Sequence, residues 1–226
     1  LEHFAYVVSH DLQQPLSVVS SYLEMLGDSV RDRLEDEEES YLDRAASSAV
    51  RVQEMVDAVL GFARVDSRGD EFGEVDLGAV LEQVKTELWK EITVAKAEIT
   101  NDPLPLVIAD EGQMVLLLQN LISNAVKFSG SPPAEIHLSS EENEDEWTIS
   151  VRDNGIGIDP DASDRIFVMF QRLHTEKEYP GTGIGLAICK RIIDRHGGKI
   201  WVESEQLLGA TFFFSIPKRT AGRGGD

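Results

Sequence analysis

Two apolar stripes at helical spacing govern the start of this chain. Phe4, Val8, Leu12, Leu16, Val19, Leu23, Leu26 and Val30 recur at intervals of three and four, and Leu42, Ala45, Ala49, Val52, Val56, Val59 and Ala63 repeat the pattern. The charge-rich stretch between them, Arg31 to Glu39, reads as a turn. Such spacing predicts two long amphipathic helices folded back as an antiparallel hairpin. A lone hairpin leaves its stripe half covered. Pairing two copies into a four-helix bundle buries it, so a homodimer is expected, with packing on the rest of the same chain as the alternative. Pro15 falls inside the first helix and should loosen the turn before it, because it removes the backbone bond to the Asp11 carbonyl.

That turn carries His10, followed by Asp11, in Ser9-His10-Asp11-Leu12-Gln13-Gln14-Pro15-Leu16. An imidazole with a carboxylate beside it can act as a nucleophile, since the acid orients the ring and takes up its proton. Taken alone, the pair is more economically a solvated histidine on a helix face, because adjacency in sequence establishes no geometry.

Beyond Asp66 to Gly73, a polar stretch with two glycines, the pattern becomes mixed. Helices are expected from about Leu77 to Ile92, Glu111 to Phe128 and Ile184 to His196. Strands are expected near Ala97 to Thr100, Leu106 to Ile108, Glu135 to Ser139, Trp147 to Asp153, Lys199 to Glu203 and Thr211 to Ile216, with the acidic Glu141 to Glu146 as a hairpin turn. Interleaved helices and strands with two consecutive strand pairs give an α+β class, one mixed sheet covered by helices. The expected organisation is a helical hairpin over 1–66, a linker over 67–73, a mixed-sheet α/β sandwich over 74–219 and a Gly-rich tail, Thr220 to Asp226.

The formal net charge is −20, with 41 acidic against 21 basic residues. Such a surface repels nucleic acid and anionic membranes, so neither is expected as a partner, and any phosphate site has to be locally basic or metal-assisted. Acid excess over a whole chain also suggests adaptation to high salt. The single cysteine, Cys189, cannot form a disulfide within the chain and fits a small buried hydrophobe. No apolar run is long enough to cross a bilayer. The chain opens inside a helical pattern at Leu1, which suggests an upstream part beyond this fragment.

Three downstream stretches carry chemistry. On the helix Asn120-Leu121-Ile122-Ser123-Asn124-Ala125-Val126-Lys127-Phe128, the polar Asn120, Asn124 and Lys127 share one face. Amide oxygens suit a cation that keeps most of its waters, as Mg²⁺ does, and Lys127 can neutralise phosphate. In Asp153-Asn154-Gly155-Ile156-Gly157-Ile158, glycines let the backbone turn and approach a ligand, and a buried Asp153 can accept from an amino group such as that of adenine. In Gly181-Thr182-Gly183-Ile184-Gly185-Leu186, glycines open a helix whose N-terminal donors suit phosphate. The spacing is not that of a Rossmann fingerprint. The preceding His174 to Pro180 could close as a lid. Each stretch alone has a bland reading as a solvated helix face, a turn or a glycine cluster.

Together, and in this order, they resemble the catalytic core of a sensor histidine kinase over nearly the whole chain. The similarity takes in the histidine box at His10, the N box Asn120 to Lys127, the first glycine box Asp153 to Gly157, a phenylalanine box (Ile166-Phe167-Val168-Met169-Phe170-Gln171-Arg172) and the second glycine box Gly181 to Leu186. Gly197-Gly198-Lys199-Ile200 and Gly209-Ala210-Thr211-Phe212 also fit. The form His-Asp-Leu-Gln-x-Pro-Leu is similar to the phytochrome-like subset.

The resemblance implies a dimerisation and phosphoacceptor hairpin followed by a Bergerat-type ATP-binding domain, with ATP and Mg²⁺ as cofactors. It implies His10 as the phosphorylated residue, Asp11 as its base, Asn124 as the Mg²⁺ ligand with Asn120 nearby, and Lys127 on phosphate. It further implies Asp153 on adenine, Gly155 and Gly157 shaping the pocket, Gly181, Thr182, Gly183, Gly185 and Leu186 at the nucleotide, and Arg172 at the γ-phosphate. A response-regulator receiver domain is the implied partner, an upstream sensor the implied input, and the cytoplasm the implied location. The nucleotide fold is shared with gyrase, chaperone and mismatch-repair ATPases, so an ATP-driven clamp is the rival reading, and a scaffold without activity the third. Gln13 and Gln14 depart from the Arg and the Thr or Asn frequent at their positions, which leaves phosphatase activity open. Gly209-Ala210 departs from the usual glycine pair and is expected to matter little.

Overall fold

The computed structural model describes residues 2–67, 71–130, 133–173, 178–179, 181–205 and 208–218; for residues 2–13, 32, 36, 54, 57, 58, 63, 64, 66 and 67 it describes the backbone alone. The tail and most of the expected lid therefore lie outside the described residues. The chain divides into two compact units, Leu1–Ser67 and Arg68–Asp226.

The first unit is a helix pair, α1 (Glu2–Val30) and α2 (Asp36–Ser67), joined by a 3-10 turn, Arg31–Arg33. The turn is shorter than the charge pattern suggests, since Glu37 to Glu39 are already helical. Acidic side chains favour a helix N-terminus, and the Glu38 carboxylate accepts the Glu35 N–H at 3.1 Å, as in a capping box. The helix α1 runs on through Pro15. Where α1 meets α2, Gly27 is buried, and a side chain there would meet Leu42. Leu16, Leu23 and Val30 are half-buried with Leu42 and Val56, and Ala49 and Leu60 are buried. Val19, Leu26, Ala45 and Val52, also in the stripes, remain exposed in the single chain, as do Val18, Tyr22 and Met25. A narrow seam closes each helix pair; the rest of the apolar surface is left over.

The second unit holds β1 (Gly73–Asp76), α3 (Leu77–Glu87), α4 (Trp89–Ala95), β2 (Glu98–Asn101), β3 (Leu106–Ala109), α5 (Glu111–Lys127), β4 (Glu135–Glu142), β5 (Glu146–Asp153), α6 (Gly185–His196), β6 (Ile200–Glu205) and β7 (Gly209–Pro217). The main sheet has the order β2-β4-β5-β7-β6, with β2 parallel to β4 and the other pairs antiparallel. Strand β3 does not join it, as a single sheet would require; it pairs with β1 in a separate two-stranded ribbon, burying Val75 against Val107. The expected helix Leu77 to Ile92 is two helices, broken at Leu88. The hydrogen bonds Leu88 N to Val84 O and Ile92 N to Leu88 O carry the helical spacing across the break, so the apolar period does not reveal it.

Period-two alternation puts Ile136, Leu138, Ile149, Val151, Phe212, Phe214 and Ile216 on the buried face, under α5 and α6. The amphipathic α5 buries Met114, Leu117, Leu118, Leu121 and Ile122 and leaves Asn120, Ser123, Asn124 and Lys127 along its other edge. Cys189 is buried against α5, where burial pushes its thiol pKa up and leaves it unreactive. Among the described residues no helix is long and apolar enough to cross a membrane.

Candidate functional site

The last strand before the first glycine box ends at Asp153, which is 8% exposed. Its Oδ1 accepts N–H bonds from Gly155 at 2.8 Å and Ala210 at 3.1 Å. Burial raises its pKa above the ordinary carboxylate value, and the two backbone donors oppose the shift. Oδ1 is thus occupied, and Oδ2 has no protein partner among the described residues. The fixed carboxylate presents one free acceptor to a cavity of about 350 Å³.

The polar edge of α5 lines that cavity with Asn120, Ser123, Asn124 and Lys127. Asn120 Nδ2 donates to the Leu116 carbonyl at 2.8 Å, which holds the amide in a fixed orientation. Asn120 Oδ1 lies 2.5 Å from where a Gly185 side chain would begin, so any side chain there would displace the Asn120 amide. Lys127 Nζ stands 2.6 Å from the corresponding point at Gly181 and 4.7 Å from the Phe128 ring centroid. The second glycine box therefore lies directly over the lysine.

Helices α3 and α5 begin with Asp76 and Asp110, whose carboxylates accept backbone N–H groups of the first turn. The N-terminus of α6 follows the glycine box and has no side-chain cap. Its first residues, Gly185 and Leu186, line the cavity with Lys127, Arg172, Gly181, Thr182 and Gly183, and uncapped N–H groups at a helix start suit an anion. In a chain of net charge −20 this wall carries two cations, and among the described residues Asp153 is the cavity's lone carboxylate.

The structure brings together nearly all the downstream residues expected at a site. Gly155 is the exception. It does not line the cavity, and a side chain there would strike the Phe128 carbonyl at 2.6 Å, so it lets the strand exit pass beneath α5. Arg172 lines the cavity, but its Nη2 donates to the Tyr179 carbonyl at 2.7 Å. Asn120 and Asn124 supply amide oxygens without a carboxylate, a set that suits a well-hydrated Mg²⁺ better than a pre-built cage. His10 and Asp11 lie on α1; their side chains are outside the described residues.

Sequence reasoning missed the walls: Ile156, Ile158, Ile166, Tyr179 and Phe212. Ile156 and Ile158 alternate with the glycines, a signal that was available. The departure from a second glycine at Ala210 is expected to matter little, and the contact agrees: what reaches Asp153 there is the Ala210 backbone N–H, which any residue except proline supplies. The glycine required is Gly209, with φ +92° and the Asp153 carbonyl where a side chain would go.

Two family models match. The "His Kinase A (phospho-acceptor) domain" matches residues 1–68, and the "Histidine kinase-, DNA gyrase B-, and HSP90-like ATPase" matches residues 109–220. The chain belongs to the histidine kinases. In this histidine kinase core the second unit is a nucleotide-binding domain, which is the role the cavity's acceptor, cations and open helix end suit. Cyanobacterial phytochrome A of Nostoc sp. is 48% identical over 96% of this chain, which spans 28% of that protein. The structure of full-length ShkA in complex with AMPPNP aligns over 99% of this chain and 47% of its own, at 31% identity and TM-score 0.73. The histidine kinase ThkA in complex with the response regulator TrrA aligns over 96% of this chain and 61% of its own, at 25% identity and TM-score 0.64. The kinase core thus spans between about a quarter and two thirds of these relatives.

Proposed function

We propose that this core transfers the γ-phosphoryl group of ATP to His10 and passes it to an aspartate of a response-regulator receiver domain. The observation that carries the reading is the Asp153 carboxylate, with Oδ1 held by two backbone donors and Oδ2 free at a cavity whose other wall is cationic. One end of the cavity suits an adenine amino group and the other a polyphosphate. The complexes of ShkA with AMPPNP and of ThkA with TrrA support nucleotide and regulator as ligands.

Asp153 Oδ2 would accept from the adenine amino group, while Gly157 allows close approach of the ring. Lys127, Arg172 and the N–H groups opening α6 would hold the phosphates, which requires Arg172 to leave the Tyr179 carbonyl. Asn124, with Asn120 beside it, would hold Mg²⁺, which neutralises phosphate charge when bound. Asp11 would orient the His10 ring through one nitrogen and receive its proton. The other nitrogen attacks phosphorus in line as the bond to the ADP oxygen breaks. The unused apolar surface of the hairpin, with Tyr22 68% and Met25 65% exposed, fits a second copy of the same hairpin. A reaction that consumes ATP would run in the cytoplasm.

The test is incubation with γ-labelled ATP and Mg²⁺. Acid-labile, alkali-stable label on the protein, absent from His10→Ala, is the expected result. Steady phosphate release without labelled protein would indicate a clamp instead.

A further inference from the structure

Phe72 is not part of any nucleotide box. It stands immediately before β1, just after the chain has left the hairpin unit. Its ring stacks on the His196 imidazole at the end of α6, with centroids 4.5 Å apart and planes 20° apart, and the Arg195 guanidinium lies 4.8 Å from its centroid. Both partners are tied to Asp110, which is 2% exposed. Arg195 Nη1 reaches Asp110 Oδ2 at 2.9 Å, and the Asp110 N–H donates to His196 Nε2 at 3.1 Å. Since Nε2 accepts, the ring proton sits on Nδ1, which donates to the Ile192 carbonyl at 2.7 Å. The ring is therefore neutral and its orientation fixed at both nitrogens. Asp110 Oδ1 accepts from Gln113 N at 3.1 Å and so caps α5, the helix that carries Asn120, Asn124 and Lys127.

This cluster joins the start of the second unit to the head of its nucleotide-binding helix. Strand β1 has only four residues, and its first, Gly73, has open space where a side chain would be. Gly73 is held through its backbone alone, in register with Ala109, and brings no side-chain contact of its own. The residue before it does bring one: the flat ring of Phe72 is held against two side chains whose own positions are set by α5 and α6.

We infer that Phe72, held by His196 and Arg195, is a positioning residue that sets how the interdomain linker leaves the nucleotide-binding domain. The inference rests on the proposed transfer to His10. Phosphoryl transfer to a group on the other unit depends on the linker's course, whereas nucleotide binding within the second unit does not. Misplacement of reacting groups by about 1 Å costs up to about a hundredfold in rate.

The test uses the whole chain, as wild type, Phe72→Ala and Phe72→Tyr. Autophosphorylation kcat and KM for ATP are measured alongside equilibrium binding of a fluorescent ATP analogue. For Phe72→Ala, kcat should fall about tenfold or more while KM and Kd stay within about twofold, and Phe72→Tyr, which keeps the ring, should restore kcat. An unchanged kcat in Phe72→Ala overturns the inference. So does a fall in kcat matched by weaker nucleotide binding, or loss of binding altogether, since the cluster would then be only structural. Absence of label on His10 in the wild type would instead refute the kinase reading on which the inference rests.

Discussion

Replacing Asp153 with asparagine changes one atom of the site and should remove most nucleotide affinity. The amide oxygen of the Asp153→Asn side chain can still accept from Gly155 and Ala210, so the local backbone keeps its anchor. What changes is the atom facing the cavity, where an acceptor becomes an NH₂ donor. An adenine amino group would then meet a donor. The loss comprises a hydrogen bond to a charged group, about 1.5–3 kcal/mol, and a buried donor left unpaired, about 1–3 kcal/mol. A total near 3 kcal/mol corresponds to about a hundredfold in Kd. The assay is calorimetric or fluorescence titration of Asp153→Asn and wild type with ATP or an analogue at neutral pH. A Kd within about threefold of wild type would refute the argument. The same carboxylate sets a pH signature. Burial raises its folded-state pKa, so the native state holds this proton to a higher pH than the unfolded chain does. Stability therefore falls as pH rises from the ordinary Asp value through the raised one, and the loss persists at neutral pH. Nucleotide binding moves the other way, weakening as pH falls through the raised pKa. Asp153→Asn should lack both effects and, without nucleotide, should be no less stable than wild type at neutral pH.

Three further outcomes follow from the packing. Gly209→Ala puts a side chain at φ +92° against the Asp153 carbonyl and should cost about 2 kcal/mol or more, with weaker nucleotide binding because Ala210 N–H moves; an unchanged Tm in thermal melts would contradict this. Tyr22→Glu with Met25→Glu adds charge to the uncovered side of α1 and should yield monomers by light scattering, while a persisting dimer would exclude this surface from the interface. Cys189, with its thiol pKa raised by burial, should resist aromatic disulfide reagents at about pH 8 until the protein unfolds; fast labelling of the native protein would show that α6 opens.

Much of the second unit was legible because local chemistry and tertiary role coincide there. Gly181, Gly183 and Gly185 announce a backbone that must come close to something, and the structure shows what: Lys127, the Gln171 carbonyl and Asn120. Alternation of Ile136 and Leu138, or of Ile149 and Val151, named the buried sheet face. Strand β1 was not legible, since Glu74-Val75-Asp76 carries one apolar residue and becomes a strand only through its partner β3. The break at Leu88 was hidden for the opposite reason, because the helical period survives it.

By itself the sequence determined the helical hairpin, the α+β class, the order of the boxes and the residues expected to bind nucleotide, because periodicity and glycine placement are local properties of the chain. Only the tertiary structure decided which side of each stripe is spent within the hairpin, that the Ala210 N–H joins that of Gly155 on Asp153, that Arg172 binds the Tyr179 carbonyl, and that Phe72 meets His196 and Arg195. Most of these contacts join segments far apart in the chain, more than a hundred residues for Phe72 and His196. Their energies depend on burial and direction, which no local pattern encodes.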